Sequence, residues 1–305
     1  MKEIDIINSF GERKILLVGD TILDIYSQGR EVCKSSDSDA IEVEEDKISV
    51  SFGGASLVAS NMLELGGQVI FFSVIGNDEA AKYYDNFSHP KLEKHFLIDK
   101  NRPTTIKKRF WVGSKKLFQA NLVDNRYIEP ALEKKMIKEM EPLVKDADVI
   151  TVLDAQHGLL SGELIADLIG LSKKYRKPLY VDSQISHRPS NHHLYGGADC
   201  LFLNEKEAKD VNVRSLGVAN FIIKLGEKGS RAWFNNAEIA AAPFPVKAVD
   251  PCGAGDAFLA AFSLCNRDAV AESLVVANTW AALSTTILGT TTPKKQDLIK
   301  VYEKK

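Results

Sequence analysis

KILLVG (14–19) is an apolar run entered by one lysine and closed by a glycine. A strand with one wet face alternates polar and apolar residues; this run has no polar face, so it fits a strand covered on both sides. The same pattern returns in VIFFSVIG (69–76), DVITVLD (148–154), PLYVD (178–182), CLFLN (200–204) and NFIIKLG (220–226). Between these runs lie segments of helical period at 55–66, 79–88, 131–146, 161–175 and 204–210, and the chain is helix-rich from 255 onward. Buried strands alternating with helices predict a doubly wound, mostly parallel α/β sheet.

Two stretches break the alternation. Residues 29–52 and 104–124, with IEVEEDKISV and TIKKRFWVGSKKLFQANLV, alternate polar with apolar residues as half-exposed strands do. They are expected to pair as a small separate sheet, either a lid over the crevice at the carboxyl ends of the parallel strands or a hairpin covering an edge.

The 305 residues carry 39 Lys+Arg against 41 Asp+Glu, a net charge of −2. That balance holds no basic excess for nucleic acid or an anionic membrane surface, so any phosphate site must be local. The opening MKEIDIINSFGERK has no apolar core of a signal peptide, and no apolar run approaches the length of a membrane span. Cys33, Cys200, Cys252 and Cys265 are scattered and read as reduced thiols of a cytoplasmic protein. The six histidines, among them His187, His192 and His193, show no metal-ligand spacing and are taken as surface or loop residues.

Most of the chemistry lies in Val249-Asp250-Pro251-Cys252-Gly253-Ala254-Gly255-Asp256-Ala257-Phe258. Gly253 and Gly255 permit a tight turn whose N–H groups converge as a helix begins, which makes an anion cradle. Asp256 beside such a cradle competes with a phosphate unless its task is to take a proton from an attacking hydroxyl. It also reads as an ordinary helix-cap carboxylate. Neither a G-x-x-x-x-G-K-[ST] loop nor H-R-D with D-F-G is present.

The D-x-x-G-A-G-D run resembles the C-terminal signature of the ribokinase/PfkB carbohydrate kinases, and further stretches match it in order along nearly the whole chain. Gly19 to Asp24 is similar to the family's first strand ending in a sugar-binding aspartate, and Gly53-Gly54-Ala55-Ser56 with Ala59 and Asn61 to its glycine pair opening a helix. Asn204-Glu205-Lys206-Glu207 resembles the N-x-x-E element, Leu225 to Gly229 the L-G-x-x-G turn by the nucleotide, and Ala277-Asn278 through Gly289-Thr290-Thr291 the helix and loop bordering adenine.

The resemblance implies a single ribokinase-like kinase domain over 1–305, a three-layer α/β/α fold with a small β-sheet lid. It implies ATP-dependent phosphorylation with Mg²⁺, Asp256 as base and Gly253, Ala254 and Gly255 as anion hole. Asp24, Gly53, Gly54, Asn61, Lys107 and Arg109 are then expected at the substrate, Asn204, Glu207, Lys224, Gly226, Gly229 and Asn278 at the nucleotide, and Glu207 at the metal through water. By their residues alone, Asp24 equally ends a strand or caps a turn, and Asn204 with Glu207 equally forms a helix cap.

Within the family, GD-x-x-LD-x-Y, IGNDEAA, Thr105-x-Lys107-x-Arg109 and the G-T-T ending resemble the heptose-phosphate kinase branch, which phosphorylates C1 of D-glycero-β-D-manno-heptose 7-phosphate. The H-x-G-H of a fused nucleotidyltransferase does not occur, so no such domain is expected. The chain departs from the branch at Leu57, Gln119, Asn121, Lys224 and Pro251-Cys252. The expectation is a sugar or sugar-phosphate kinase with an altered acceptor, forming a homodimer through the lid; a non-catalytic binding protein on the same scaffold and a nucleoside or coenzyme kinase are the competing readings.

Overall fold

The computed structural model describes residues 2–34, 41–113, 115–185 and 188–303, with 31–34 by backbone alone. Residues 35–40 of the expected lid, and His187, lie outside the described residues. In chain order the elements are α1 (Glu3–Ser9), β1 (Lys14–Gly19), β2 (Thr21–Lys34), β3 (Ile41–Gly54), α2 (Ala55–Glu64), β4 (Gln68–Ile75), β5 (Leu92–Ile98), β6 (Ile106–Val112) and β7 (Lys115–Leu122). There follow α3 (Pro130–Val144), β8 (Val149–Asp154), α4 (Gly162–Tyr175), β9 (Leu179–Ser183), β10 (Cys200–Asn204), α5 (Glu205–Asp210), β11 (Asn220–Lys224), β12 (Ser230–Phe234) and β13 (Ala237–Ala241). The chain closes with α6 (Ala254–Leu264), α7 (Val270–Ser284) and α8 (Lys295–Glu303).

The nine-stranded sheet runs β13-β12-β11-β10-β9-β8-β1-β4-β5, parallel from β11 to β5 with an antiparallel edge of β12 and β13. All six apolar runs of the sequence form parallel strands in it. Burial on both faces is visible within β1, where Ile15 and Leu17 join the core under α1, α2, α6 and α7 while Leu16 and Val18 join the core under α3 and α4. Side chains on successive strand residues point to opposite faces, so one apolar run supplies both cores.

Four strands form the second sheet in the order β3-β2-β6-β7, built from the two alternating stretches. β2 pairs antiparallel with β3 and parallel with β6, and β6 antiparallel with β7. Alternation divides this sheet into an inner face bearing Asp24, Tyr26, Lys107 and Arg109 and an outer face bearing Ile25, Ile48 and Phe118.

Three expectations need correction. Residues 79–88 form no α-helix but a 3₁₀ helix, Ala81–Asn86, capped where Asp78 Oδ1 accepts from Ala81 N at 2.9 Å. Asp24 does not end the first strand: β1 stops at Gly19, and Asp24 is the fourth residue of β2 in the second sheet. His192 is fully buried, its Nδ1 2.6 Å from Ser190 Oγ. Among the described residues Cys200, Cys252 and Cys265 are free thiols, and no helix is long and apolar enough to cross a membrane.

Candidate active site

Helix α6 starts at a turn that only glycine adopts readily. Gly253 has φ +84°, and a Cβ there would come within 2.6 Å of Leu57 Cδ2. Asp250 holds the turn by accepting from Cys252 N at 2.9 Å and Gly289 N at 3.1 Å. First-turn N–H groups of a helix have no acceptor within it, so those of Gly255 and Asp256 stand at the positive end of an 11-residue helix.

Asp256 lies in that first turn, 9% exposed. Strand ends and lid deliver charges to it from several elements: Asp182 on β9, Lys224 on β11, Asp24 on β2 and Lys107 on β6. Burial above all, then Asp182, pushes its carboxyl up to about 7, while Lys224 and Lys107 pull the other way. Acting as the base expected from the sequence, Asp256 would have to be ionised to accept a proton, so kcat/KM would fall about tenfold per pH unit below about 7 and level above it. A profile flat from pH 5 to 8 would remove Asp256 from that role.

On the lid side Asp24 is 2% exposed, accepting from Arg109 Nη1 on one oxygen and from Thr290 Oγ1 at 3.1 Å on the other. A Cβ on Gly53 would sit 2.3 Å from Asp24 Oδ2, so the glycine clears room for this carboxylate. Gly54, at φ +58°, turns β3 into α2 where a Cβ would meet Asp20 O at 2.5 Å. Lys107 makes no ion pair among the described residues; burial lowers its pKa, against the pull of Asp24. Arg109 also lies 5.2 Å over the ring of Tyr26, whose buried hydroxyl has no partner among the described residues. Thr290 Cγ2 lies 3.9 Å from a Cβ built on Gly253, so the Asp24 cluster and the glycine turn share one wall.

A family model described as pfkB family carbohydrate kinase matches residues 12–297. The chain belongs to the pfkB family. This kinase is 28% identical over 308 residues to the bifunctional protein HldE of Trichlorobacter lovleyi, with 94% of the chain and 62% of the relative covered. It is 26% identical to HldE of Nitratiruptor, covering 95% and 65%. The chain thus spans about three fifths of the length of these curated relatives. Its fold is that of Arabidopsis thaliana ribokinase complexed with ribose and ATP, at TM-score 0.73 and 18% identity over 95% of this chain and 99% of that one. Escherichia coli phosphofructokinase-2 superposes at 0.74 with 17% identity over 96% and 98%. The family is described as one of carbohydrate kinases, and the ribokinase that shares this fold is described in complex with ribose and ATP.

The remaining expected residues of the kinase divide. Lys224 reaches the turn: its Nζ lies 3.2 Å from a Cβ built on Gly255. Gly226 and Gly229, at φ +58° and +86°, bracket a 3₁₀ turn closed by Leu225 N donating to Gly229 O at 2.8 Å. Asn204 and Glu207 form a reciprocal cap, Glu207 N to Asn204 Oδ1 at 2.9 Å and Asn204 N to Glu207 Oε2 at 2.8 Å. Asn61 is not at the substrate: it is fully buried, donating to Leu57 O and accepting from Trp280 Nε1, both at 2.8 Å. Satisfying a buried indole N–H accounts for it. Asn278 directs its amide nitrogen to Ala241 O and Ala242 O at 3.3 and 3.1 Å, tying α7 to β13 rather than facing a base. Thr290, expected in the loop bordering adenine, donates to Asp24.

Sequence reading gave no role to Asp182 or Gln184, and none to Asp250 and Tyr26, although both stand in motifs quoted above. A carboxylate closing a buried run, as Asp182 does in PLYVD, was the available signal. Gln184 Nε2 approaches Asp256 Oδ1 at 3.4 Å.

The residues fit both groups that the resemblance implies, ATP and Mg²⁺. A triphosphate needs free N–H groups, which Gly255 and Asp256 offer at the start of α6, whereas Ala254 N already donates to Pro251 O at 3.3 Å. A hard divalent ion needs oxygen: Asp182 Oδ1 is buried without a partner among the described residues, and Glu207 lies near enough for their charges to interact. No group of three metal-ligating side chains occurs among the described residues, and a Mg²⁺ bound mainly by phosphate and water requires fewer.

Proposed function

We propose that this kinase phosphorylates a hydroxyl of an anionic sugar, most simply a sugar phosphate of the heptose class, with Asp256 as the base. The observation that carries the reading is the placement of a buried carboxylate at the glycine turn, facing Asp24 and Lys107 of the lid. Asp24 would accept hydroxyl hydrogen bonds from the acceptor and so fix which oxygen meets Asp256. Lys107 and Arg109, both facing inward, would hold its anionic substituent. Gly53 and Gly54 clear the floor of that pocket.

On the nucleotide side, Gly253, Ala254 and Gly255 would bind the transferring phosphate, with Lys224, the turn at Gly226 and Gly229, and Asn204 around the polyphosphate. Glu207, with Asp182, would hold Mg²⁺ through water; the metal supplies positive charge to the phosphate oxygens. The acceptor oxygen then bonds to γ-phosphorus, the bond to the bridging oxygen breaks with its electron pair left on ADP, and the acceptor proton passes to Asp256.

The acceptor is proposed to differ from the standard heptose 7-phosphate. Gln119 and Asn121 lie opposite Arg109 and Lys107 across the β6–β7 pair, and they bond to each other at 2.8 Å. Neutral amides there grip an anion less than charged partners do. Leu57 Cδ2 lies against the glycine turn, where it offers no hydrogen bond. Screening sugars and sugar phosphates with ATP and Mg²⁺ for ADP release tests this. Turnover on a related sugar phosphate is expected; turnover confined to the heptose 7-phosphate refutes the altered acceptor, and none on any sugar refutes the function.

The chain is proposed to work as one kinase unit over 1–305 and to pair through its lid. Ile48, Phe118 and Leu122 on the outer face are 55%, 54% and 50% exposed, and Phe118 stacks on Phe110 at 4.3 Å. An apolar sheet face of this kind gains by meeting its copy. Light scattering should give twice 33.7 kDa for the protein and a monomer for the Ile48→Glu/Phe118→Glu variant. A monomeric parent would dismiss the pairing.

A further inference from the structure

β9, β10 and β11 end side by side, and the side chains of Asp182 and Lys224 form an ion pair across the end of β10. Asp182 is 1% exposed at its side chain and Lys224 15%. Burying such a pair costs desolvation that its attraction scarcely offsets, so stability alone is a weak reason for it. Three features aim the pair at the chemistry. The ammonium borders Gly255, 3.2 Å from where a Cβ would be, beside the N–H groups that open α6. Only one oxygen of Asp182 engages it; Oδ1 is buried and unpartnered among the described residues. The same two residues are also the foremost charged neighbours of Asp256.

Resting on the kinase reading above, we propose that Lys224 is a catalytic residue whose ammonium binds the non-bridging oxygens of the transferring phosphoryl group, with Asp182 as its positioning residue. The turn alone offers partial positive charges. Lys224 adds a full one where negative charge spreads over three oxygens as the bond to the bridging oxygen of ADP lengthens. The electron pair of that bond stays on ADP, the acceptor oxygen takes phosphorus, and its proton goes to Asp256; Lys224 keeps its own proton throughout. A lysine ammonium, compact and with three donors, suits a group whose geometry changes from tetrahedral to planar during transfer.

The test compares the parent protein with Lys224→Met, Lys224→Arg and the double variant Lys224→Met/Asp182→Asn, the last leaving no unpaired buried carboxylate. Calorimetry with Mg²⁺–ADP and with a non-hydrolysable Mg²⁺–ATP analogue reads contact with the third phosphate directly. Lys224→Met is expected to lose about tenfold in affinity for the ATP analogue and less than twofold for ADP; the double variant, which also gives up a carboxylate beside Mg²⁺, is expected to lose the same tenfold in the ratio of ATP-analogue to ADP affinity. Their kcat should fall about 10²-fold at unchanged acceptor KM, and Lys224→Arg should recover part of it. A folded double variant with the parent's kcat and the parent's ratio of ATP-analogue to ADP affinity overturns the role of Lys224 and leaves the kinase reading standing. A parent that binds neither nucleotide and turns over no sugar overturns the kinase reading, and this role with it.

Discussion

Replacing Asp256 by Asn is expected to lower kcat about 10³-fold while Mg²⁺–ATP affinity stays within about twofold. Asn preserves shape and the approach of Gln184 but cannot take the acceptor proton. Asn also adds no charge to the N–H groups of Gly255 and its neighbours, so nucleotide binding has no reason to weaken. The substitution carries a second signature in stability. In the unfolded chain this carboxyl ionises near 3.8, whereas in the fold it holds its proton up to about 7. Ionising it therefore destabilises the fold progressively as pH rises from 4 to 7, and the whole cost is present above 7. The Asn variant escapes that cost. At pH 8 it should be more stable than the parent by on the order of 2–4 kcal/mol, and so unfold at a higher temperature, with the gap closing below pH 4. Retained turnover together with no change in this gap would show that Asp256 is a solvated cap after all.

Replacing Asp24 by Asn should lower kcat/KM for the acceptor about 100-fold with the nucleotide KM little changed, because charged hydrogen bonds to the sugar become neutral ones. Asp24 Oδ1 holds Arg109 and Oδ2 meets Thr290, so the loss also loosens the guanidinium proposed to hold the acceptor's anionic group. A pH profile separates this residue from a mere structural clamp. Asp24 contributes to raising the Asp256 carboxyl, so its neutralisation moves the acid limb to lower pH. An unchanged acceptor KM with an unmoved limb would place Asp24 outside the site.

Much of the architecture was written locally. Apolar runs with no polar face reported strands covered on both sides, and the alternating stretches reported a second sheet with a wet face, because side-chain period and burial are properties of neighbouring residues. β5, β12 and β13 carried weaker patterns and escaped notice. Each is at or next to a sheet edge, where burial is incomplete and the sequence is freer. Residues 79–88 show the converse: helical period was present, but two glycine-free turns settled into a short 3₁₀ helix under Phe52, whose ring lies 5.2 Å from that of Tyr84.

The site was legible only in part, and the reason is distance along the chain. Composition, strand and helix periodicity, and the glycine turn before Asp256 are short-range facts, and from them the fold class and a candidate base followed. That Asp182 and Lys224, separated by 42 positions, close into an ion pair beside that base was decided by strand order. So were the bonds of Asn61 to the buried indole of Trp280 and of Asn278 to the backbone at the end of β13, partners that only packing supplies. Local sequence sets what a residue is able to bond; which partner it meets depends on elements brought together from far along the chain, where burial makes every unpaired polar group costly.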